Sequence, residues 1–135
     1  MTTAPDPDRP VLTVVPEGEV DVEELGSQIV GLAGRLAAAT CRWLLLVAAF
    51  DARAGYRHYV LHSTARWLAH YCGVSRRTAI EHVRVARALA AHPSLAAAMS
   101  AGRLSYSHVR AISRIADLGD TALVESLVNV ANTAP

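Results

Sequence analysis

The fold is decided by residues 67–78, which read WLAHYCGVSRRT. A short apolar run stops at Gly73, and Ser75 is placed to cap a second helix that begins with Arg76 and Arg77. Glycine suits the left-handed backbone at a helix C-terminus, and serine accepts a hydrogen bond from a free amide at a helix start. The stretch therefore predicts two helices joined by a tight turn, with two cations at the start of the second helix.

Helical signals continue on both sides of this turn. Serine precedes four of the predicted helices, at Ser63, Ser75, Ser94 and Ser105, and the spacing Asp21–Glu24 is that of a capping box. The predicted helices cover about 21–52, 64–72, 76–91, 95–101, 106–117 and 121–131. No alternation of apolar residues indicates a sheet. We therefore expect an all-α fold, in which a long N-terminal helix packs on a multi-helix bundle that contains the helix-turn-helix.

Length and composition indicate one helical domain behind an acidic arm. A chain of 135 residues is long enough for a single modest core. Four of the six prolines fall within 1–20, which we expect to be a disordered or loosely docked arm, with 11–15 as a short strand or docking segment. Residues 21–135 form the predicted domain, with the helix-turn-helix at about 63–91. The sequence stops without an evident closing element, so we expect a fragment of a longer protein.

The net charge of +1 hides a segregation of charge along the chain. Three arginines against seven acids give −4 over residues 1–50, ten arginines against two acids give +8 over 51–114, and three acids give −3 over 115–135. All thirteen basic residues are arginine, which suits bidentate contacts to phosphate or guanine. A basic middle between acidic ends is expected where one face meets a polyanion, and a solvated helical surface is the alternative.

The first helix carries a stripe of apolar residues at heptad spacing, which we call the seam. Its members are Leu25, Ile29, Leu32, Leu36, Ala39, Trp43, Leu46 and Phe50. The steps between them alternate between four and three residues, as in a coiled coil. Such a seam needs a partner. The later helices of the same chain, a second copy in a homodimer and a helix of another protein are the alternatives.

The start of the helix after Ser75 is the candidate site for duplex DNA. In a helix-turn-helix, the first helix braces a second helix whose N-terminal side chains enter the major groove. Ala69, four residues before Gly73, allows the two helices to touch, and Val74 is predicted to enter the core. The candidate DNA-binding residues are Ser75, Arg76, Arg77, Thr78, His82, Arg84, Arg103 and Arg110. For Arg84, an ion pair with Glu81 at i, i+3 is the alternative.

Residues 67–112 resemble the helix-turn-helix region of ParB/KorB-type partition proteins. The likeness rests on the Leu-Ala-x-x-x-Gly-Val-Ser-Arg run that starts at Leu68, and on Ala-Gly-Arg-Leu-Ser at 101–105, followed by His108 and Arg110. Glu81 stands where that family has asparagine. The nucleotide-binding motifs of the partition proteins are absent, so the resemblance does not imply a clamp activity.

Residues 21–135 also resemble the N-terminal helical domain of unknown function of actinobacterial repeat proteins associated with HNH endonucleases. The long first helix, Trp-Leu-Ala at 67–69, the Val-Arg-Val-Ala-Arg-Ala-Leu run at 83–89 and Ala-Gly-Arg-Leu-Ser carry this likeness. It implies a non-catalytic, DNA-engaging N-terminal part of such a protein. The chain has no His-Asn-His nuclease motif, no Gly-x-Ser-x-Gly nucleophile motif and no paired carboxylates in its basic part, so we do not expect an enzyme.

Metal and cofactor sites are not expected. His58 and His62 are four residues apart, but Gly55 disfavours the helix that would bring them together, and no Cys-x-x-Cys pair supports a zinc site. Cys41 and Cys72 are predicted to be buried free thiols in a reducing cytoplasm.

Targeting segments are not evident either. The N-terminus is acidic rather than basic and then apolar, so no signal peptide is expected. The apolar segment 36–50 contains Arg42 and is too short to span a bilayer. We therefore expect a cytoplasmic protein without a membrane partner.

Trp67 is expected in the core, where it would brace the first helix.

Overall fold

The structure is a computed structural model, and it describes residues 20–133. The helices are α1 (Val22–Ala52), α2 (Thr64–Cys72), α3 (Arg76–Ala91), α4 (Pro93–Ser100), α5 (Tyr106–Asp117) and α6 (Thr121–Thr133), with a 3-10 helix at Gly55–Tyr59. No strand occurs among the described residues, and the predicted all-α fold with a long first helix is confirmed. Apart from Val20, the predicted arm 1–20 lies outside the described residues.

The predicted helix caps are present at three of the four serines. Ser63, Ser75 and Ser105 each accept, through Oγ, a hydrogen bond from the backbone amide three residues later, at 3.1–3.3 Å. Gly73 ends α2 with φ at +68°, the left-handed conformation expected of a glycine at this position. The boundaries of α2, α3 and α5 are therefore those predicted from the sequence.

The start of α4 differs from the sequence-based prediction, which is wrong at this point. The helix begins at Pro93 rather than after Ser94. Proline suits the first position of a helix because it has no amide hydrogen to leave unpaired and its φ is already helical. Ser94 consequently lies inside the first turn, where its hydroxyl donates to Glu125 Oε1 at 2.7 Å and ties α4 to α6.

The centre of the core is the C-terminal half of α1, but it does not use the seam. The buried residues of α1 are Ala37, Cys41, Leu44, Val47 and Ala48. They pack mainly on α3 and α4. Three of them are small, which lets the neighbouring helices approach closely. The alternative that the seam packs on later helices of its own chain holds only in part: Trp43 and Phe50 are half-buried against the bundle. Leu36 and Leu46, in contrast, are 61% and 63% exposed.

The N-terminal part of α1 projects from the bundle. Every residue from 22 to 33 is exposed except Gly26, which is half-buried. Contact with the body begins at Gly34, which lies against Gly102 in the turn before α5. A side chain on Gly102 would place its Cβ 3.1 Å from Gly34 Cα, and φ at Gly102 is +77°. Glycine is therefore required at Gly102 for two reasons, and the first three turns of α1 have no neighbour among the described residues.

As a whole, α1 is long and apolar enough to cross a membrane, with a mean hydropathy of 1.4 over its best window. The segment 36–50 taken alone is too short to do so. The C-terminal half of α1 packs on other helices, as the core helix of a globular domain does.

Candidate nucleic-acid interface

The candidate site is built on a firmly held pair of helices. Ala69 and Val74 are half-buried and pack against the core at the turn between α2 and α3. Ala79, Val83 and Ala86 bury one face of α3. This packing fixes the direction of α3 and leaves its first turn at the surface.

The first turn of α3 is open to solvent. Ser75, Arg76, Arg77 and Thr78 are all exposed, and neither arginine makes an ion pair with any residue in 20–133. Ser75 Oγ lies 2.9 Å from Thr78 Oγ1 and also accepts from the Thr78 amide. Two cations at a helix N-terminus oppose the helix dipole, and an anion bound there would offset this repulsion.

Behind this turn, one carboxylate holds three guanidinium groups. Glu81 Oε1 accepts from Nε of Arg84 and from Nε of Arg110, both at 3.1 Å, and lies 3.6 Å from Arg114. Arg84 also donates to Asp117 Oδ2 at 2.7 Å. The hydrogen bonds from Arg84, followed by the one from Arg110, lower the pKa of Glu81 from 4.5 to about 2. The alternative of an ion pair between Arg84 and Glu81 is confirmed, and the donors of Arg84 are largely used inside the protein.

His82 belongs to the wall of the site. Its Nδ1 lies 2.9 Å from the hydroxyl oxygen of Tyr106, and its ring meets Trp43 edge-on with the centroids 5.3 Å apart. Burial lowers the pKa of His82 below its ordinary value of 6.5. The imidazole is therefore neutral at neutral pH and offers no positive charge to a phosphate.

A cleft of about 390 Å³ separates the start of α3 from α5. It is lined by Arg77, Thr78, Glu81, His82, Tyr106, Arg110 and Arg114. Four of the eight predicted site residues thus meet in one place. Sequence reasoning missed Tyr106 and Arg114, although their spacing with Arg110 at i, i+4 and i+8 places all three on one face of α5.

Two further observations complete the surface. Ile80 is 53% exposed and stands one turn after Arg76 and Arg77, a position that the sequence reasoning missed. Arg103, in contrast, does not line the cleft. It lies in the turn before α5, where it donates to Asn132 Oδ1 at 3.4 Å beside an apolar groove between α5 and α6.

The other side chains singled out in the sequence, the potential metal ligands, the two cysteines and Trp67, do not line the cleft. Residues 20–133 contain no group of three or more His, Cys, Asp or Glu side chains that could hold a metal ion. Both thiols are free, and Cys41 is buried as predicted and donates through Sγ to the carbonyl oxygen of Ala96 at 3.4 Å. The predicted burial of Cys72 is wrong, because Cys72 ends α2 on its exposed side. Trp67 is half-buried and packs on Phe50 of α1, with ring centroids 4.4 Å apart.

The fold and the site define an all-α protein with a braced helix pair and an exposed, arginine-bearing helix start. A family model described as "Domain of unknown function (DUF222)" matches residues 24–134, and the chain belongs to this family. No curated protein and no solved structure matches the chain.

Proposed function

We propose that this chain is a DNA-binding helical module that presents the N-terminus of α3 to duplex DNA. One observation carries the proposal: Arg76 and Arg77 extend from an exposed helix start without an ion-pair partner in the described part of the chain. The backbone amides of that turn add partial positive charge, so guanidinium and amide groups converge on one anion position.

The cleft beside α3 extends the positive surface. Around it, Arg76, Arg77, Arg84, Arg110 and Arg114 carry five positive charges. Within residues 20–133, the carboxylates that pair with them are those at positions 81 and 117, and they remove two charges. Three positive charges therefore remain on one side of the bundle. A local excess of this kind attracts a phosphate backbone more strongly than the net charge of the whole chain suggests.

The exposed residues of α3 and those of α5 make different contacts with the DNA. Arg76 and Arg77 reach phosphates or guanine edges, and Ile80 offers an apolar contact of the kind that recognises a thymine methyl group. Arg110 and Arg114 on α5 lie across the cleft and meet the neighbouring phosphates. Contacts to phosphate orient the protein, whereas contacts to base edges give specificity.

A salt titration of duplex DNA binding, followed by fluorescence anisotropy, tests this function. We expect affinity to fall steeply with salt, because each arginine that neutralises a phosphate releases counterions. The double variant Arg76→Ala/Arg77→Ala should reduce the slope of log K against log salt by about 1.8, because each of the two arginines contributes about 0.9. Arg53→Ala/Arg57→Ala is the control, because it removes the same charge from exposed positions outside α3. Arg53 directly follows α1, and Arg57 lies in the 3-10 helix.

Two results would contradict the proposal. One is the absence of salt-dependent binding to any duplex at about 50 mM salt, a condition that favours phosphate contacts. The other is an equal loss of affinity in both double variants, because a general effect of net charge needs no particular helix end.

We further propose that the module is the non-catalytic N-terminal part of an HNH-nuclease-type protein, a setting suggested by the resemblance of residues 21–135. Under this proposal, the chain binds plasmid DNA without cutting it. Incubation of supercoiled plasmid with the protein and Mg²⁺ or Mn²⁺ should leave the plasmid supercoiled. Nicked or linear product that appears in proportion to protein concentration would overturn the non-catalytic assignment.

A further inference from the structure

The seam of α1 leaves a large apolar surface uncovered. Ile29, Leu32, Leu36 and Leu46 are between 53% and 68% exposed. The first half of the seam stands on the projecting part of α1, where an isolated helix of a few turns is only marginally stable in water. Exposed apolar surface that continues over a whole helix indicates a binding partner rather than scattered surface residues.

The spacing of the seam residues makes the seam complementary to itself, so a second copy of this chain fits it. The positions 25, 29, 32, 36, 39, 43, 46 and 50 read the same from either end, with steps of four and three residues. If two copies of α1 pair antiparallel about a two-fold axis between 36 and 39, each seam residue meets a seam residue of the other copy. Leu25 then lies opposite Phe50 of the second copy, Ile29 opposite Leu46, and Leu32 opposite Trp43.

The bundle offers apolar hollows where the second helix would lie. One hollow of about 450 Å³ is bordered by Phe50 and Tyr59, with Arg53 and His58 also in its lining. Another of about 240 Å³ is bordered by Trp43 and Trp67, and Leu46 lines both. Both flank the second half of the seam. In the antiparallel pair, the projecting half of each α1 crosses the hollows of the other copy, whereas a parallel pair would bring the two projecting halves together and leave the hollows open.

We infer that α1 binds α1 of a second copy of this chain, antiparallel and along the whole seam. The exposed seam side chains of two copies provide on the order of 1,200 Å² of contact surface, at the lower end of the range for specific interfaces. The pairing is tested separately from DNA binding, because its variants lie on α1, whereas Arg76 and Arg77 begin α3.

Sizing with light scattering at micromolar protein concentration tests the pairing. We expect a dimer for the unaltered protein and a monomer for Ile29→Asp. The matched control is Val30→Asp, because Val30 is 72% exposed and Ile29 68% exposed, but Val30 faces away from the seam. The control should remain a dimer. A monomeric unaltered protein would overturn the inference, and so would equal disruption of the dimer by both variants. Flotation of a monomeric protein with lipid vesicles would overturn it as well, because the seam would then bind lipid.

Disulfide cross-linking tests the antiparallel register. In a Cys72→Ser background, we expect the combination Ile29→Cys/Leu46→Cys to form a covalent dimer on mild oxidation, and Ile29→Cys alone to stay uncross-linked. Within one chain the two positions are about 25 Å apart along the helix, too far for an internal disulfide. Cross-linking of Ile29→Cys alone would instead show a parallel pair and refute this arrangement.

Discussion

Glu81 holds the arginine cluster behind the candidate interface, so the substitution Glu81→Gln should change stability and DNA affinity in opposite directions. Its carboxylate accepts hydrogen bonds from Arg84 and Arg110 and lies near Arg114. Glutamine keeps the size of the side chain and one acceptor oxygen but removes the negative charge. The substitution leaves three guanidinium groups near one another without their shared partner.

The expected loss of stability follows from the geometry. Arg84 and Glu81 are about one quarter exposed, with side-chain values of 25% and 22%. Their charged hydrogen bonds contribute about 1.5 kcal/mol. Arg110 is 48% exposed, so solvent screening reduces its contribution to below about 0.5 kcal/mol. We expect a decrease of about 2 kcal/mol in the free energy of unfolding, which for a domain of this size lowers Tm by about 8 °C.

The pH dependence of the stability difference shows whether the charge of Glu81 is the cause of the lost stability. The pKa of Glu81 is lowered from 4.5 to about 2 in the folded protein, so its contribution is complete above pH 4.5 and disappears as the pH falls towards 2. At neutral pH, urea unfolding should therefore show the full difference of about 2 kcal/mol between Glu81→Gln and the unaltered protein. The difference should shrink progressively below pH 4.5.

Glu125→Gln is the matched control for the stability measurement. Glu125 accepts one hydrogen bond from the Ser94 hydroxyl, and a glutamine oxygen can accept the same bond. We expect a change below about 0.5 kcal/mol, as for most surface substitutions. Equal stability of Glu81→Gln and the unaltered protein at neutral pH would refute the assigned role of Glu81. A deficit that stays constant down to pH 2 would refute it as well.

The same variant should bind DNA more tightly. Removal of one negative charge at the edge of the cleft strengthens the attraction to phosphates by about 0.4–1 kcal/mol, or about 2- to 5-fold in affinity at low salt. The gain should vanish at high salt. Anisotropy titrations of the folded variant measure it, and weaker binding at low salt would contradict the placement of DNA against this cleft.

Three further substitutions or labelling experiments test the fold. Gly73→Ala should lower the free energy of unfolding by about 1 kcal/mol, because φ is +68° but the added Cβ meets nothing within 4 Å. Gly102→Ala should lower it further, because its Cβ also meets backbone at 3.1 Å. Urea titration of both variants checks this order. Asp51→Asn should lower the free energy of unfolding by about 1–2 kcal/mol, because this carboxylate joins the end of α1 to α2 and α3; near-complete retention of stability would contradict it. Iodoacetamide at pH 8 should modify exposed Cys72 quickly and Cys41 only after unfolding, because burial raises the pKa of the Cys41 thiol; equal labelling rates in the folded protein would be inconsistent with its burial.

Local signals predicted most of the helices, because caps and turns depend on a few adjacent residues. Ser63, Ser75, Ser105 and Gly73 act through hydrogen bonds or backbone angles that span one turn, so their roles are readable without the rest of the chain. The failure at Ser94 has the same local origin. Two start signals compete there, and the proline at the preceding position begins the helix earlier.

The candidate site was predicted only in part, because its charges are arranged by helix packing. The sequence placed Arg76 and Arg77 on an exposed helix start, and the structure agrees on their exposure. The contact of Glu81 with Arg110 spans 29 residues and exists only because α3 and α5 are neighbours. Periodicity along one helix carries no information about which face of another helix it will meet.

Spacing within single segments was enough to predict the helical class, most of the helix ends and the seam. Tertiary structure alone decided which face of α1 enters the core. Cys41 and Ala48 allow α3 and α4 to approach closely, and Leu44 fills the space between the helices. Leu36 and Leu46 lie on another face of α1 and stay outside. Apolar periodicity marks a surface that avoids water, but only the shapes of the neighbouring helices select which surface they cover.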